Sequence, residues 1–485
     1  MMTGFKAFSL FALPLVIAGC TSTNPKAAFN DVGKTVNERT GQPVRWSRND
    51  SSSNEIARLI EPLLKTNLTS RTAVAIALLN NRSLQAEFEE VGISQADLAR
   101  ASRLRNIEIA GSWRIPDRPP SIVNAEYSAA GDFLDLLTLP ARKKIARREL
   151  EQTKLRVADS VLRLAANAQT AFYTVQASEK LARRLAVIVE VNEAAADLAQ
   201  RQFDAGNINA LELQNQQASA AQSRLDLMRA KAQTRADRER LNRVLGLAGG
   251  QMDWKVADEL PGLPATESPL DNLETLAVSQ RLDLAAARSE AESVAAALRL
   301  KKNTRFIPGV KVGVDTERDS DGQRVTGPNV TLELPLFDQG QPGVARLTAR
   351  YRQAQNKLEA MEVNTRSEVR QAQDALLAAR AAAEHYARTL LPQRQKILRE
   401  TLLHYNAMQK SGYELLAAKE REQAAERGYV EALRDYWIAR AELERAVGGR
   451  LADEDSPMPE LGKNGLSKTG RTSSQPLILK RKEKL

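Results

Sequence analysis

The sequence predicts a mainly α-helical chain with a small β part, organised as long antiparallel coiled-coil hairpins. Three observations carry that class. Between Ala141 and Ala205, and again from Asn207 to Leu245, there is no Gly or Pro, and the good helix formers Ala, Leu, Arg, Gln and Glu dominate. Val161, Ala165, Ala168, Phe172 and Val175 step by four and three, the spacing of a coiled-coil seam. The unit also occurs twice: about 202 residues on, Phe203 becomes Tyr405, Glu212 becomes Glu414, Leu213 becomes Leu415 and Gly246 becomes Gly448. A lone hairpin cannot bury its apolar stripe, so the halves belong to one elongated body.

Residues 1–19 read as a secretory signal. Lys6 precedes an apolar run from Phe8 to Ala18 that is too short to span a bilayer. The run ends Val16-Ile17-Ala18-Gly19-Cys20, which resembles a bacterial lipobox. That resemblance implies cleavage before Cys20, diacylation of its thiol and acylation of the new amine. Several acyl chains give a stable anchor. Cys20 is the chain's one cysteine, so this role accounts for an exported protein without disulfides. Thr21, in place of Asp, implies sorting to the outer membrane. The alternative is an ordinary cleaved signal with a chance cysteine.

Residues 20–70 are expected as a lipidated tether: Thr21 to Asn54 polar and extended, Leu59 to Leu64 a short helix or turn. The first repeat, 71–250, opens on a helix from Arg71 to about Arg105, where Val74, Leu78, Leu84 and Phe88 alternate with charge. The period then changes to two. Ile107, Ile109, Gly111, Trp113 and Ile115 alternate with Glu108, Ala110, Ser112 and Arg114, which reads as a strand. Pro116, Pro119 and Pro120 mark a loop, and a second strand is expected from Tyr127 to Leu139. A helix of about 60 residues follows, roughly 90–100 Å long. It turns at Asp204–Asn209 and returns to about Leu247.

A linker, 251–271, leads to the second repeat, 272–449. There Val310, Val312 and Val314 alternate with Lys311, Gly313 and Asp315. A polar loop at Asp319–Asn329 precedes Val330, Leu332, Leu334 and Leu336. Val344 to Leu391 lacks Gly and Pro, and Pro392 should kink the helix that contains it. On the return, Tyr429, Leu433, Tyr436, Ala439, Leu443 and Ala446 form the seam. Residues 450–485 read as a disordered basic tail, with Lys480-Arg481-Lys482 near its end.

Net charge is +10, from 70 basic and 60 acidic residues. The signs are mixed along helix faces and no nucleic-acid module accompanies them, so a solvated coiled coil explains them and no nucleic-acid partner is expected. There is no P-loop, no dinucleotide motif and no Cys or His pair at ligand spacing. His385 and His404 lie 19 residues apart. The expectation is a non-enzyme with no cofactor and no metal.

No mature segment holds 18 consecutive apolar residues, whereas the strands have the one-sided alternation of an outer-membrane barrel. Four strands cannot close a barrel, and open edges are not tolerated in lipid, so closure needs several chains. The order of motifs resembles the TolC-like outer membrane efflux factors from about Arg71 to Gly449. The matching features are the duplicated halves, the strand hairpin before each long helix and Leu334-Pro335-Leu336-Phe337-Asp338. Phe203-Asp204-Ala205-Gly206 and Leu245-Gly246-Leu247 match as well. The second turn departs from the pattern, since Tyr405-Asn406-Ala407-Met408 lacks the Gly.

The resemblance implies a homotrimer with a 12-stranded transmembrane β-barrel and a periplasmic α-barrel. Such a trimer is anchored in outer-membrane lipid and docks on a periplasmic adaptor and an inner-membrane pump of RND or ABC type. It also implies acidic aperture residues near the helical turns, for which Glu212, Glu414 and Asp204 are the candidates. Asn209 to Glu212 and Ser411 to Glu414 equally fit a capping box, a structural role that needs no gate. The phrase from Tyr405 to Leu416 resembles branches of that family linked to heavy-metal efflux, with drugs, dyes or proteins as alternatives. The competing class is a structural coiled-coil envelope lipoprotein without a pore.

Overall fold

The computed structural model describes residues 23–451, apart from 116, 119–121, 268–269, 308 and 320. The signal segment with Cys20, the loop prolines Pro116, Pro119 and Pro120, and the tail beyond Leu451 lie outside the described residues.

Two helices open the described residues, α1 (Lys26–Thr40) and α2 (Asp50–Lys65). They correct the expectation of an extended tether over Thr21–Asn54. Val32 and Val36 lie one helical turn apart, as do Ile56 and Ile60, and all four are buried. Phe29 meets Phe88 of the first repeat edge-on, with ring centroids 5.0 Å apart. Asn49 and Ser52 form a reciprocal cap that starts α2: the Asn49 side chain accepts from the Ser52 amide and the Ser52 hydroxyl accepts from the Asn49 amide.

The helix expected over 71–105 is two helices, α3 (Ser70–Asn80) and α4 (Arg82–Ala101). Asn81 adopts ψ 116° between them and caps α4 by accepting from the Leu84 amide at 3.0 Å. Strands β1 (Glu108–Arg114) and β2 (Asn124–Asp132) follow. The second strand stops well short of Leu139, because the Asp132 carboxylate accepts from the Asp135 amide and begins a helix. That helix, α5 (Phe133–Asp204), has 72 residues, which is about 110 Å. It returns as α6 (Ala210–Leu245).

The second repeat retraces this order with α7 (Leu273–Gln280), α8 (Leu282–Thr304), β3 (Val310–Arg318) and β4 (Arg324–Leu332). Here β4 begins six residues earlier than expected and ends before Leu334 and Leu336. The long helix is α9 (Gln341–His385), a π-helical turn (Tyr386–Leu390) and α10 (Leu391–Asn406). Pro392 has no N–H to donate to the preceding turn, and the helix widens there into the π-turn. The return is α11 (Gly412–Val447).

The predicted seam of α5 is buried: Val161, Ala168 and Val175 have no exposed surface and Phe172 almost none. On α11, Leu433, Tyr436, Leu443 and Ala446 are buried in the same way. In each repeat the short forward helices meet the return helix end to end. Asn80 Nδ2 donates to the Leu245 and Gly246 carbonyls at 3.1 and 2.7 Å, and Asn81 Nδ2 to Val244 at 2.9 Å. In the second repeat Gln280 Nε2 donates to Val447 at 3.0 Å and the Arg281 guanidinium to Ala446 at 3.3 Å. Gly246 has φ +69°, and a Cβ there would sit 2.8 Å from the Asn80 carbonyl oxygen. No other residue suits the joint.

The stretch 251–271 is packed against the helices. Trp254 is buried and donates to Asn242 at 2.8 Å. Gln176 Nε2 donates to the Ala257 and Glu259 carbonyls. Glu267 is held by Arg380 at 2.6 Å and accepts from the Tyr436 hydroxyl. Burial, then the Glu267 carboxylate, pushes the Tyr436 pKa up to about 12.

The strands form one antiparallel sheet in the order β1-β2-β3-β4. β2 pairs with β3 and so joins the two repeats, with Tyr127 opposite Thr316. One face carries Ile109, Trp113, Tyr127, Val312, Val314, Val330 and Leu332, all solvent-exposed. The other carries Glu108, Ser112, Glu126, Lys311, Asp315 and Glu317. On that face Lys311 pairs with Glu108 at 2.5 Å and Asn124 donates to Glu317 at 2.7 Å. The period-two reading holds over Ile109–Trp113 and Val310–Val314, while β4 interrupts it, with Val325 on the polar face and Arg324 and Thr326 on the other. Among the described residues no helix is long and apolar enough to cross a membrane.

Candidate functional site

Two hairpin turns lie at the ends of the long helices, and the structure ties them together. Tyr413 Oη, one residue into α11, donates to Gln202 Oε1 near the end of α5 at 3.1 Å. Sequence reasoning missed this tie, because a Tyr and a Gln 211 positions apart leave no periodic trace.

The first turn closes with Gly206 at φ +74°. The Gly206 amide donates to the Phe203 carbonyl at 2.9 Å and the Asn207 amide to Gln202 at 2.8 Å. The second turn has the same bonds, from Met408 to Tyr405 and from Gln409 to His404, both at 2.9 Å. Met408 stands at φ +58°, where the first turn has its glycine, so the absent Gly changes the residue and not the turn. Its side chain is 95% exposed. The offset of 202 residues pairs Gly206 with Met408 and could have revealed this conformation in advance.

The three predicted carboxylates are exposed at these turns and differ in their partners. Asp204 ends α5 and accepts from Gln200 Nε2 at 2.9 Å. Glu212 sits in the first turn of α6, where its amide donates to Asn209 Oδ1 at 2.9 Å. Only half of the expected capping box forms there, and the Glu212 carboxylate has no ion pair among the described residues. Glu414 completes its box: its carboxylate accepts from the Ser411 amide at 3.0 Å, while the Ser411 hydroxyl accepts from the Glu414 amide. Lys410 adds an ion pair at 2.5 Å. The hydrogen bond from Lys410, then that from the Ser411 amide, holds the Glu414 pKa below the usual carboxylate value. Glu414 is therefore a compensated charge and Glu212 an uncompensated one.

A second cross-tie lies further from the turns, where Arg184 of α5 faces Glu426 of α11 at 3.1 Å. Burial, then the charge of Glu422 one turn away, raises the Glu426 pKa. Below the π-turn, α10 has no buried residue, whereas α5 buries twenty along its length. Among the described residues no three His, Cys, Asp or Glu side chains are grouped to hold a metal ion.

At the sheet, Trp113 Nε1 donates to the Tyr127 hydroxyl at 3.1 Å, and the rings lie edge-on. Phe133, Phe306 and Phe337 are exposed at the opposite ends of the strands, where the helices begin.

Residues 74–247 match the family described as Outer membrane efflux protein. No curated protein matches the sequence. Among solved structures, the Campylobacter jejuni CmeC outer membrane channel superposes with TM-score 0.68 at 14% identity, covering 81% of this chain and 90% of that one. CusC, solved in a study of folding and transmembrane channel formation, gives TM-score 0.64 at 18% identity over 79% of this chain and 93% of its own. The open state of the Neisseria gonorrhoeae MtrE outer membrane channel gives 0.60 at 17% identity, over 78% and 88%. At these identities the likeness is one of fold.

Proposed function

We propose, from the match of residues 74–247 to the outer membrane efflux protein family, that the chain is the outer-membrane channel of a tripartite efflux or secretion system. Three copies each contribute four strands, and the twelve close a barrel wide enough for a pore. The observation that carries this reading is the sheet: it has an exposed apolar face, a polar face and two edges at β1 and β4. Lipid does not tolerate such edges, and only closure with other copies removes them.

The helical hairpins then form the periplasmic conduit. Transport energy comes from an inner-membrane pump, of RND or ABC type, coupled through a periplasmic adaptor. Cys20 carries the lipid anchor after removal of residues 1–19, and the two repeats, 71–250 and 272–449, build the wall. At the periplasmic mouth Glu212, with its charge uncompensated, is the stronger aperture residue, and Asp204 and Glu414, at the two turns, are the other candidates. Heavy-metal ions are read as the cargo, ahead of drugs or proteins, on the resemblance of the phrase from Tyr405 to Leu416 to heavy-metal efflux branches.

Single-channel recording of the purified full-length protein in planar bilayers tests the reading. A cation-favouring conductance is expected. A protein that assembles and inserts yet passes no current would instead be an envelope tether without a pore.

A further inference from the structure

The excess of positive charge is concentrated where the helices meet the sheet. Four segments, 100–105, 142–148, 299–305 and 346–352, hold fifteen Lys and Arg and no Asp or Glu. The rest of the chain then has 55 basic against 60 acidic residues, so these segments supply all of its net charge of +10. The first and third close α4 and α8, just before β1 and β3; the second and fourth lie early in α5 and α9, after β2 and β4. Antiparallel pairing gathers all four at one end of the sheet.

The helix ends also touch. Gly340 and Gly343 make room at the start of α9 for α8, since a Cβ on either would come within 2.8 Å of Arg305 Cβ or Lys301 Cε. Arg105 and Arg142 are engaged by Asp135 at 3.5 and 2.9 Å, and Arg148 by Glu292. The other twelve have no ion pair among the described residues. Of these, Arg103, Lys301, Lys302 and Arg346 are exposed and lie within five residues of the helix end nearest the sheet, at most about 8 Å along a helix.

Exposed apolar residues stand between these cations and the strands. Phe306 and Ile307 separate Lys302 from β3, and Leu334, Leu336 and Phe337 separate β4 from Arg346. Ile107 lies between Arg105 and β1, and Leu136 and Leu137 between β2 and Arg142. The Arg305 guanidinium stacks on Phe306, 4.2 Å from the ring centroid. Each junction therefore runs strand, apolar residues, cations. Across a bilayer leaflet hydrocarbon, interface and headgroups follow in that order.

We propose that the four junctions form a basic belt that binds anionic phospholipid headgroups in the leaflet on the helical side. The inference rests on the barrel reading. The apolar residues lie against acyl chains, and the Lys and Arg, whose long stems can cross apolar surface, donate to phosphate oxygens. Repeated in three copies, the belt encircles the barrel and sets its depth in the membrane.

The test is electron spin resonance of spin-labelled lipids, with the full-length protein reconstituted in phosphatidylcholine vesicles. A trace of labelled phosphatidylglycerol or labelled phosphatidylcholine reports which lipid the protein immobilises. Phosphatidylglycerol should be preferred about fivefold, the worth of one basic contact at an anionic surface, and less so in high salt. The variant Arg103→Gln, Lys301→Gln, Lys302→Gln, Arg346→Gln should lose most of that preference. The control Lys231→Gln, Arg235→Gln, Lys396→Gln, Arg399→Gln removes as many exposed cations from α6 and α10 and should keep it. If the first variant fails to insert, the single changes Lys301→Glu and Arg346→Glu carry the comparison. An inserted protein that takes up both lipids equally would overturn the belt and leave the barrel standing, whereas a protein that inserts in neither vesicle would overturn both. A first variant with altered ion selectivity and unchanged lipid preference would place its four cations in the pore, which also overturns the belt.

Discussion

Met408 sits in a left-handed conformation that the first repeat assigns to Gly206. For a residue with a Cβ this geometry costs about 1–2 kcal/mol. Glycine avoids that cost but loses roughly 0.5–1 kcal/mol of extra unfolded-chain entropy. The difference of the central values predicts that Met408→Gly stabilises the second turn by about 0.75 kcal/mol, or roughly three- to fourfold in the closing equilibrium. The Met408 side chain is 95% exposed, so its removal sacrifices no buried surface. The assay is amide hydrogen exchange at 408 and 409, whose N–H groups bond Tyr405 and His404. Exchange there should slow by the same factor. Met408→Ala should leave it unchanged, because alanine keeps the strain. Gly206→Met should speed exchange at 206 and 207 to a similar extent. The reasoning fails if Ala protects as well as Gly does, or if Gly206→Met leaves its turn undisturbed.

Four further outcomes are expected. Arg placed at Ile109 or Val312, on the apolar face, should cost about 2–4 kcal/mol of assembled stability near the bilayer midplane, and Arg at Ser112 or Asp315 far less; equal trimer yields in membranes would show the faces misassigned. The double variant Glu212→Gln, Glu414→Gln should keep its assembly while cation selectivity and divalent block in bilayers decline, and unchanged selectivity would leave both as helix caps. The Glu414 cap is depressed in pKa, so its contribution is complete above the ordinary value of 4.5 and is lost only as pH falls below it; exchange at Ser411 and Glu414 should rise in that acid range. Cys20→Ala should abolish acyl labelling while the protein still fractionates with the outer membrane, whereas a wholly soluble variant would contradict the barrel.

What the sequence revealed followed its periodicities. The seam Val161 to Val175 is buried because a step of four and three places those side chains on one face of a helix. The strand faces were legible because a period of two has no other reading. What was missed depends on single capping residues. Asp132 turns an apolar stretch from strand into helix, and Asn81 splits a helix that periodicity alone runs through. The amino-terminal helices were missed for a different reason. Val32 with Val36, and Ile56 with Ile60, repeat only once each, too briefly to stand out among polar neighbours. At the turns, position was legible and chemistry was not: the sequence gives Glu212 and Glu414 matching places, while only Glu414 has a lysine four residues before it.

The end-to-end joints bear on how the chain comes to be folded. Asn80 meets Gly246 and Gln280 meets Val447, contacts that span 166 and 167 residues. Neither can form until a strand pair, the long helix, its turn and the whole return helix have been laid down. Closing so long a loop is entropically slow compared with zipping a hairpin from its turn. Each joint is therefore expected to close last within its repeat, as a completion seal. A chain released before residue 246 would hold neither seal, and one released just past it would hold the first alone.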